Sequence, residues 1–247
     1  MRTHRVRALL MGDQACVSYG AAEFSRDVDL AIVASSQNLS ALRSAMDDLH
    51  AEVIAVPAFE PKYLRKGHAV HFRCHDRKAD GLRVDVMSRM RGVDPFSRLW
   101  SRRTVAVLAD GMTFDLLSLP DLVRAKKTQR DKDWPMIRRL VEADYFERRA
   151  SPAAADLRFW FRELRTPELL LSLAADHTEA CRRLVAERPL LESAVRGDNP
   201  AVAASLEAEE RVEREADRQY WEPLRREIET LRRDKARASM RGDDHES

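Results

Sequence analysis

The chain has 247 residues, with 43 Lys and Arg against 41 Asp and Glu and a formal net charge of +2. This length accommodates one or two domains, and the near balance of charge excludes a strongly basic protein that wraps nucleic acid. No stretch reaches the roughly 18 uncharged apolar residues of a membrane span, so we expect no membrane partner. Three widely spaced cysteines (Cys16, Cys74 and Cys181) predict reduced thiols and a cytoplasmic protein.

The first part of the chain carries short apolar runs of strand length. Three of them predict strands, at residues 5–11, 29–34 and 52–56. Residues 40–50 predict a helix, because their apolar side chains recur at helical spacing. Segments 69–75 and 82–88 alternate with a two-residue period and predict a hairpin. This order predicts a small mixed β-sheet domain over residues 1–118.

From Ser118 onward, helical patterns dominate. Ser118 followed by Asp121 is typical of a helix start, so we predict one helix over 119–140. Residues 206–238 alternate Glu and Arg and predict a solvated helix, with a helix that binds a partner as the alternative. The predicted fold class is therefore α+β, with a sheet domain followed by an all-helical domain over 119–247. The tail 240–247 is predicted to be disordered.

Two carboxylates, Asp27 and Asp29, stand at the start of a predicted strand. Residues two apart in a strand face the same side, so both carboxylates share one face while Val28 and Leu30 face the core. Two carboxylates about 6–7 Å apart along a strand repel each other unless a cation lies between them. Mg²⁺ prefers carboxylate and phosphate oxygens. The pair alone is a weak signal, because many solvated strand ends carry two acids.

Further residues strengthen the case for a phosphate-handling site. Gly12 follows a strand at a turn into a helix, where free backbone N–H groups suit a phosphate. Asp85 lies in the predicted hairpin and offers a third carboxylate from a neighbouring strand. Lys126, Arg130 and Asp133 would share one face of the helix predicted over 119–140. The two cations would bind a triphosphate, and Asp133 would hold them in place.

Four potential metal ligands are grouped in and just before the segment 69–75, at His68, His71, Cys74 and His75. Their spacing does not match a closed zinc site, because His71 and His75 would face away from Cys74 in a strand. We therefore predict structural roles for this group. His71 can still reach the site, because its strand pairs with the strand that carries Asp85.

The spaced motifs together resemble a known family. Residues 11–13, a spacer of thirteen residues and residues 27–29 resemble the minimal nucleotidyltransferase branch of the DNA polymerase β-like superfamily. Residues 19–30 resemble a subgroup form of this motif. Segment 119–133 is similar to the Lys…Arg-x-x-Asp segment of AbiEii-like toxins and related nucleotidyltransferase proteins. The resemblance covers roughly residues 5–140.

This resemblance implies a Mg²⁺-dependent enzyme that moves a nucleoside monophosphate from a nucleoside triphosphate to a hydroxyl group and releases pyrophosphate. Asp27, Asp29 and Asp85 would be the catalytic residues and would hold two Mg²⁺ ions. The implied nucleotide-binding residues are Gly12, Asp13, Ser25, Lys126, Arg130 and Asp133.

The implied acceptor is a macromolecule, either transfer RNA or protein. The chain would then act as the toxin of a toxin–antitoxin pair, with an antitoxin as its partner. A small-molecule acceptor, as in antibiotic nucleotidyltransferases, is one alternative. A catalytically silent interaction module is the other, because Asp13 stands where the family usually has Gly or Ser.

Overall fold

A computed structural model describes residues 1–108 and 110–243, which divide into two units. The first, the sheet unit, comprises Met1–Ser18, Ala22–Ala125 and the chain from Gln219 onward. The second, the helical unit, comprises Tyr19–Ala21 and Lys126–Arg218. The last helix runs to Asp243, so the first four residues of the predicted disordered tail are helical, and residues 244–247 lie outside the described residues.

The sheet unit contains seven strands. They are β1 Ala8–Met11, β2 Asp27–Ile32, β3 Glu52–Val53, β4 Val70–Arg73, β5 Arg83–Met87, β6 Thr104–Val107 and β7 Thr113–Leu116. Their order in the sheet is β3-β4-β5-β2-β1-β7-β6. The pairs β2–β5 and β1–β7 are parallel, and the other neighbours are antiparallel. The prediction of a mixed sheet and the α+β class is confirmed.

Short helices connect these strands. They are α1 Gly12–Ser18, α2 Ser36–Asp47, α3 Pro61–Lys66, α4 Phe96–Ser101 and α5 Leu119–Lys126. Helix α2 begins at a hydroxyl cap, because the Ser35 side chain accepts a hydrogen bond from the Asn38 backbone N–H. Its buried residues Leu39, Leu42 and Met46 belong to the core cluster of the sheet.

The core lies against the apolar face of strands β2, β4 and β5. Leu30 and Ile32 from β2 join Val84 and Val86 from β5 and the apolar residues of β4 in one buried cluster. Because side chains alternate along a strand, the residues between them face the opposite side of the sheet. That opposite side carries the carboxylates predicted for the site.

Strands β6 and β7 were absent from the sequence prediction. They form an antiparallel pair, and β6 is the edge strand of the sheet. Val105 and Val107 are 52% and 68% exposed. This strand therefore lacks the hydrophobic-in, polar-out alternation by which a half-buried strand is recognised.

The helical unit contains α6 Asp133–Arg148, α7 Ala154–Glu163, α8 Pro167–Asp176, α9 Thr178–Leu184 and α10 Leu191–Val195, with the first part of α11 Asn199–Asp243. Trp160 and Phe161 of α7 are fully buried, and the Trp160 Nε1 donates to Asp144 Oδ2 at 2.8 Å. Helix α11 continues through Pro223 without a break. None of the helices in the described part of the chain combines the length and apolarity of a membrane span.

The single helix predicted over 119–140 is wrong. Helix α5 ends at Lys126 and α6 begins at Asp133. Pro135 explains the interruption, because it lacks an N–H and its ring would clash with the carbonyl of residue 131 in a continuous helix. In the first turn of a new helix that N–H would be unpaired in any case, so the proline is tolerated there.

The start of α5 depends on a buried carboxylate. Asp121 is 1% exposed and accepts hydrogen bonds from Arg102 Nε and Nη2, both at 2.6 Å, and from Ser118 Oγ at 2.7 Å. Arg102 also donates to the more exposed Asp94. Helix α5 begins where Ser118 and Asp121 predict a helix start, and Arg102 is an additional partner of Asp121.

We expect Asp121→Ala to lower the free energy of unfolding by roughly 2–3 kcal/mol, because it removes charge-assisted hydrogen bonds from a buried carboxylate. Urea denaturation monitored by circular dichroism measures this loss. Asp94→Ala removes an exposed contact to the same Arg102 and should have a smaller effect. Equal losses in the two variants would contradict a special role for Asp121.

Candidate functional site

The predicted carboxylates lie together on one face of strands β2 and β5. Asp29 is the direct partner of Asp85 across the parallel pair, and Asp27 is the direct partner of Arg83. Direct partners in adjacent strands place their side chains on the same face, and neighbouring strands lie about 4.8 Å apart. The three predicted catalytic carboxylates therefore share one surface, which we call the carboxylate face (Asp27, Asp29, Arg83 and Asp85).

Both oxygens of Asp85 are engaged by neighbouring side chains. Arg83 donates from Nε to Oδ1 at 2.8 Å and from Nη2 to Oδ2 at 2.9 Å. His71, the partner of Asp85 on β4, places its Nδ1 2.8 Å from Oδ1. The same nitrogen lies 3.0 Å from Arg83 Nη2. The sequence prediction that His71 reaches this strand position is confirmed.

Charged neighbours on this face shift the pKa values of Asp85 and Arg83. Burial raises the pKa of the Asp85 carboxyl, but hydrogen bonds from His71 and Arg83 outweigh burial and leave that pKa below its ordinary value. The hydrogen bond to Asp85 raises the pKa of Arg83, and the charges of Asp27 and Asp29 add to this rise. Arg83 is thus the cation whose pKa all three carboxylates raise.

Gly12 is the first residue of α1 and packs directly against Asp29. Its φ of +68° lies in the left-handed region, which disfavours side chains. A Cβ atom on Gly12 would lie 1.9 Å from Asp29 Oδ2 and 2.8 Å from Asp29 Cβ. Glycine is therefore required here by the backbone angle and by the approach of the Asp29 carboxylate.

Ser25 precedes the start of β2, and Asp13 follows Gly12 in α1. The Ser25 hydroxyl donates to the backbone carbonyl of Asp27 at 3.0 Å, so it positions the start of β2. Asp13 lies in the first turn of α1 and is partly buried. The role predicted for both residues in nucleotide binding stays a prediction.

Lys126, Arg130 and Asp133 form a separate cluster within the helical unit. Asp133 is fully buried and accepts from Lys126 Nζ at 3.2 Å, from Arg130 Nε at 2.8 Å and from Thr128 Oγ1 at 2.5 Å. The prediction that Asp133 holds both cations is confirmed, although the reason given for it, a shared face of one helix, is wrong. The loop between α5 and α6 brings the three together instead.

Arg83 is the main residue of the carboxylate face that the sequence interpretation missed. The available signal was its position two residues before Asp85 in a strand, which places both side chains on one face. The potential zinc ligands separate, as predicted. His68 is buried and contacts Glu227, His75 contacts Glu52, and Cys74 belongs to the core.

The donor set of the carboxylate face fits Mg²⁺ only in part. Carboxylate oxygens are suitable ligands, and Asp27 and Asp29 lie on the same face of β2. Asp85 is different, because hydrogen bonds from Arg83 engage both of its oxygens. Within residues 1–108 and 110–243, no group of three or more His, Cys, Asp or Glu side chains has the geometry of a metal site.

No family model matches this chain, and no curated protein matches it. Its function must therefore be inferred from the residues themselves.

We expect Gly12→Ala to lower the free energy of unfolding by roughly 1–3 kcal/mol more than Gly81→Ala does, because of the clash with Asp29. Gly81 is the matched control in the same unit. Its φ is +75°, but no atom lies within 4 Å of the Cβ it would acquire. Urea denaturation of both variants separates the steric effect from the cost of the backbone angle. Equal losses would contradict the close packing of Gly12 on Asp29.

The lowered pKa of Asp85 predicts a pH-dependent contribution to stability. A carboxyl with a depressed pKa in the folded protein stabilises it above its unfolded-state pKa, near the ordinary value of 3.8. This contribution is lost as the pH falls through the folded-state pKa. The stability difference between wild type and Asp85→Asn should therefore be constant near neutral pH and shrink below about pH 4. A difference that grows on acidification would contradict the pairing.

Proposed function

We propose that this protein is a Mg²⁺-dependent nucleotidyltransferase. The observation that carries the proposal is the placement of Asp27, Asp29 and Asp85 on one face of two adjacent parallel strands, with Gly12 packed against Asp29. The glycine and the first two aspartates are also the residues of the motif that resembles the minimal nucleotidyltransferases. The sequence motif and the packing of the strands therefore point to the same residues.

The proposed reaction joins an acceptor hydroxyl to the α-phosphorus of a nucleoside triphosphate. The hydroxyl oxygen forms the new bond to phosphorus, and its proton is lost to solvent. The bond from the α-phosphorus to the bridging oxygen breaks, and pyrophosphate leaves with the electron pair. Bound Mg²⁺ supplies positive charge that offsets the charge developing on the phosphoryl oxygens.

The residues of the carboxylate face have distinct parts in this proposal. Asp27 and Asp29 would hold Mg²⁺, because they share a strand face and both are carboxylates. Gly12 lets Asp29 approach the backbone closely, which fixes where that carboxylate lies. Ser25 orders the strand start that presents Asp27. Catalysis would then rest on positioning and electrostatic stabilisation, as in other phosphoryl-type transfers.

For the acceptor, we propose a macromolecule, transfer RNA or protein, with the chain as the toxin of a toxin–antitoxin pair. This part of the proposal rests on the likeness of segment 119–133 to AbiEii-like toxins. Within that segment, Lys126 and Arg130 both donate to Asp133, and the role predicted for these cations in binding the triphosphate stays a prediction.

Titration calorimetry tests the nucleotide site. We expect at least one of the four nucleoside triphosphates to bind wild type in the presence of Mg²⁺. EDTA should abolish this binding, and Asp27→Asn/Asp29→Asn should weaken it at least about tenfold, since the metal would lose both ligands. The asparagines keep the shape of the aspartates, so the loss reports charge and metal binding.

Asp47→Asn/Asp80→Asn is the matched control, because it removes two exposed carboxylates elsewhere in the same unit. It should bind nucleotide as wild type does. If no triphosphate binds wild type at millimolar concentration, the proposed transferase function is wrong and a catalytically silent interaction module is the better account. Binding that needs neither Mg²⁺ nor the two aspartates would also contradict the proposal.

A further inference from the structure

The guanidinium of Arg83 offsets part of the negative charge of the three carboxylates on the carboxylate face. Arg83 is the direct strand partner of Asp27 and shares a strand face with Asp85, which is in turn the direct partner of Asp29. Its two hydrogen bonds to Asp85, at 2.8 and 2.9 Å, form a side-on bidentate pair. Such pairs are geometrically specific and stronger than neutral hydrogen bonds.

The pair is partly shielded from water. The Asp85 side chain is 13% exposed, while that of Arg83 is 38% exposed. His71 adds a further contact to Asp85 from the next strand. Breaking the pair would leave a mostly buried carboxylate without its main partner, which is costly. A metal ion that took Asp85 as a ligand would first have to break its pair with Arg83, which costs free energy.

The charge balance of the carboxylate face also disfavours a second metal ion. Three carboxylates and one guanidinium carry two net negative charges, and one divalent cation neutralises them. Without bound nucleotide, a second divalent ion in the same cluster would create a net positive charge next to the guanidinium. Like charges within a few ångströms disfavour each other.

We infer that Arg83 takes the place of one of the two metal ions, so that Asp27 and Asp29 hold a single divalent cation. This inference rests on the proposed function and revises the number of metal ions that the sequence predicts. Asp85 is then a positioning residue that orients Arg83 and not a metal ligand. Arg83 is a permanent cation of the site, present with or without metal.

A titration with Mn²⁺ alone, followed by the paramagnetic resonance signal of the free ion, tests this role. We expect Arg83→Gln to bind Mn²⁺ roughly tenfold more tightly than wild type, because a unit charge that repels the ion is removed. Arg73→Gln is the matched control. Arg73 is the direct partner of Arg83 on β4, carries the same charge and is exposed. The affinity of this variant should change less than about threefold, because exposed charges are well screened.

The number of bound ions gives a second measurement that needs no variant. Mn²⁺ is titrated into wild type with a triphosphate whose α–β bridging oxygen is replaced by methylene. One bound Mn²⁺ per chain supports the inference, and two overturn it. An unchanged Mn²⁺ affinity in a folded Arg83→Gln protein also overturns it.

These outcomes separate the inference from the proposed function. If wild type binds nucleotide through Asp27 and Asp29 but holds two Mn²⁺ ions, the transferase proposal stands and the role of Arg83 is wrong. If nucleotide does not bind while Arg83→Gln still binds Mn²⁺ more tightly, the transferase proposal is wrong. The guanidinium then remains the counterion of the three carboxylates.

Discussion

The mutual repulsion of three carboxylates on adjacent strands is the constraint on which the candidate site depends. Asp29 and Asp85 are direct partners across a parallel pair, and Asp27 lies on the same face. Such an arrangement is unfavourable unless positive charge is supplied. Arg83 supplies part of it from the strand itself, through a bidentate pair that occupies Asp85. The negative charge that remains is the basis for proposing a single divalent cation at this surface.

The sheet makes this arrangement possible because it keeps an apolar face and a charged face apart. One face of β2, β4 and β5 is apolar and belongs to the core that includes residues of α2 and α3. The other face carries the charged residues at alternate positions, so a shift of one residue in strand register would exchange the two sets. Burial of the apolar face thus also fixes which charged residues meet. Gly12 adds a local constraint, because only a glycine leaves space for the Asp29 carboxylate.

Much of the sheet unit was predictable, because its central strands follow simple hydrophobic patterns. The hairpin of β4 and β5 and the strand that carries Asp27 and Asp29 were identified from apolar runs and alternation. The β6–β7 pair was missed, since an edge strand with exposed valines lacks that signal. The helix break before α6 depends on Pro135 and on the loop that places Lys126 against Asp133. The helical spacing predicted these contacts on one face of a single helix. It could not reveal that a loop between two helices makes them instead.

For this protein, the sequence by itself determined the α+β class and the shared face of Asp27 and Asp29. These follow from short-range patterns, in which the strand period of two places nearby residues on known sides. Only the tertiary structure decided that Asp85 is the partner of Asp29 and that Arg83 engages both Asp85 oxygens. The pairing of Asp29 with Asp85 joins strands more than 50 residues apart in the chain, and strand order and register set it. Arg83 and Asp85 lie two residues apart on β5, and their shared face follows from the strand period, but the hydrogen bonds between them are seen only in the folded chain.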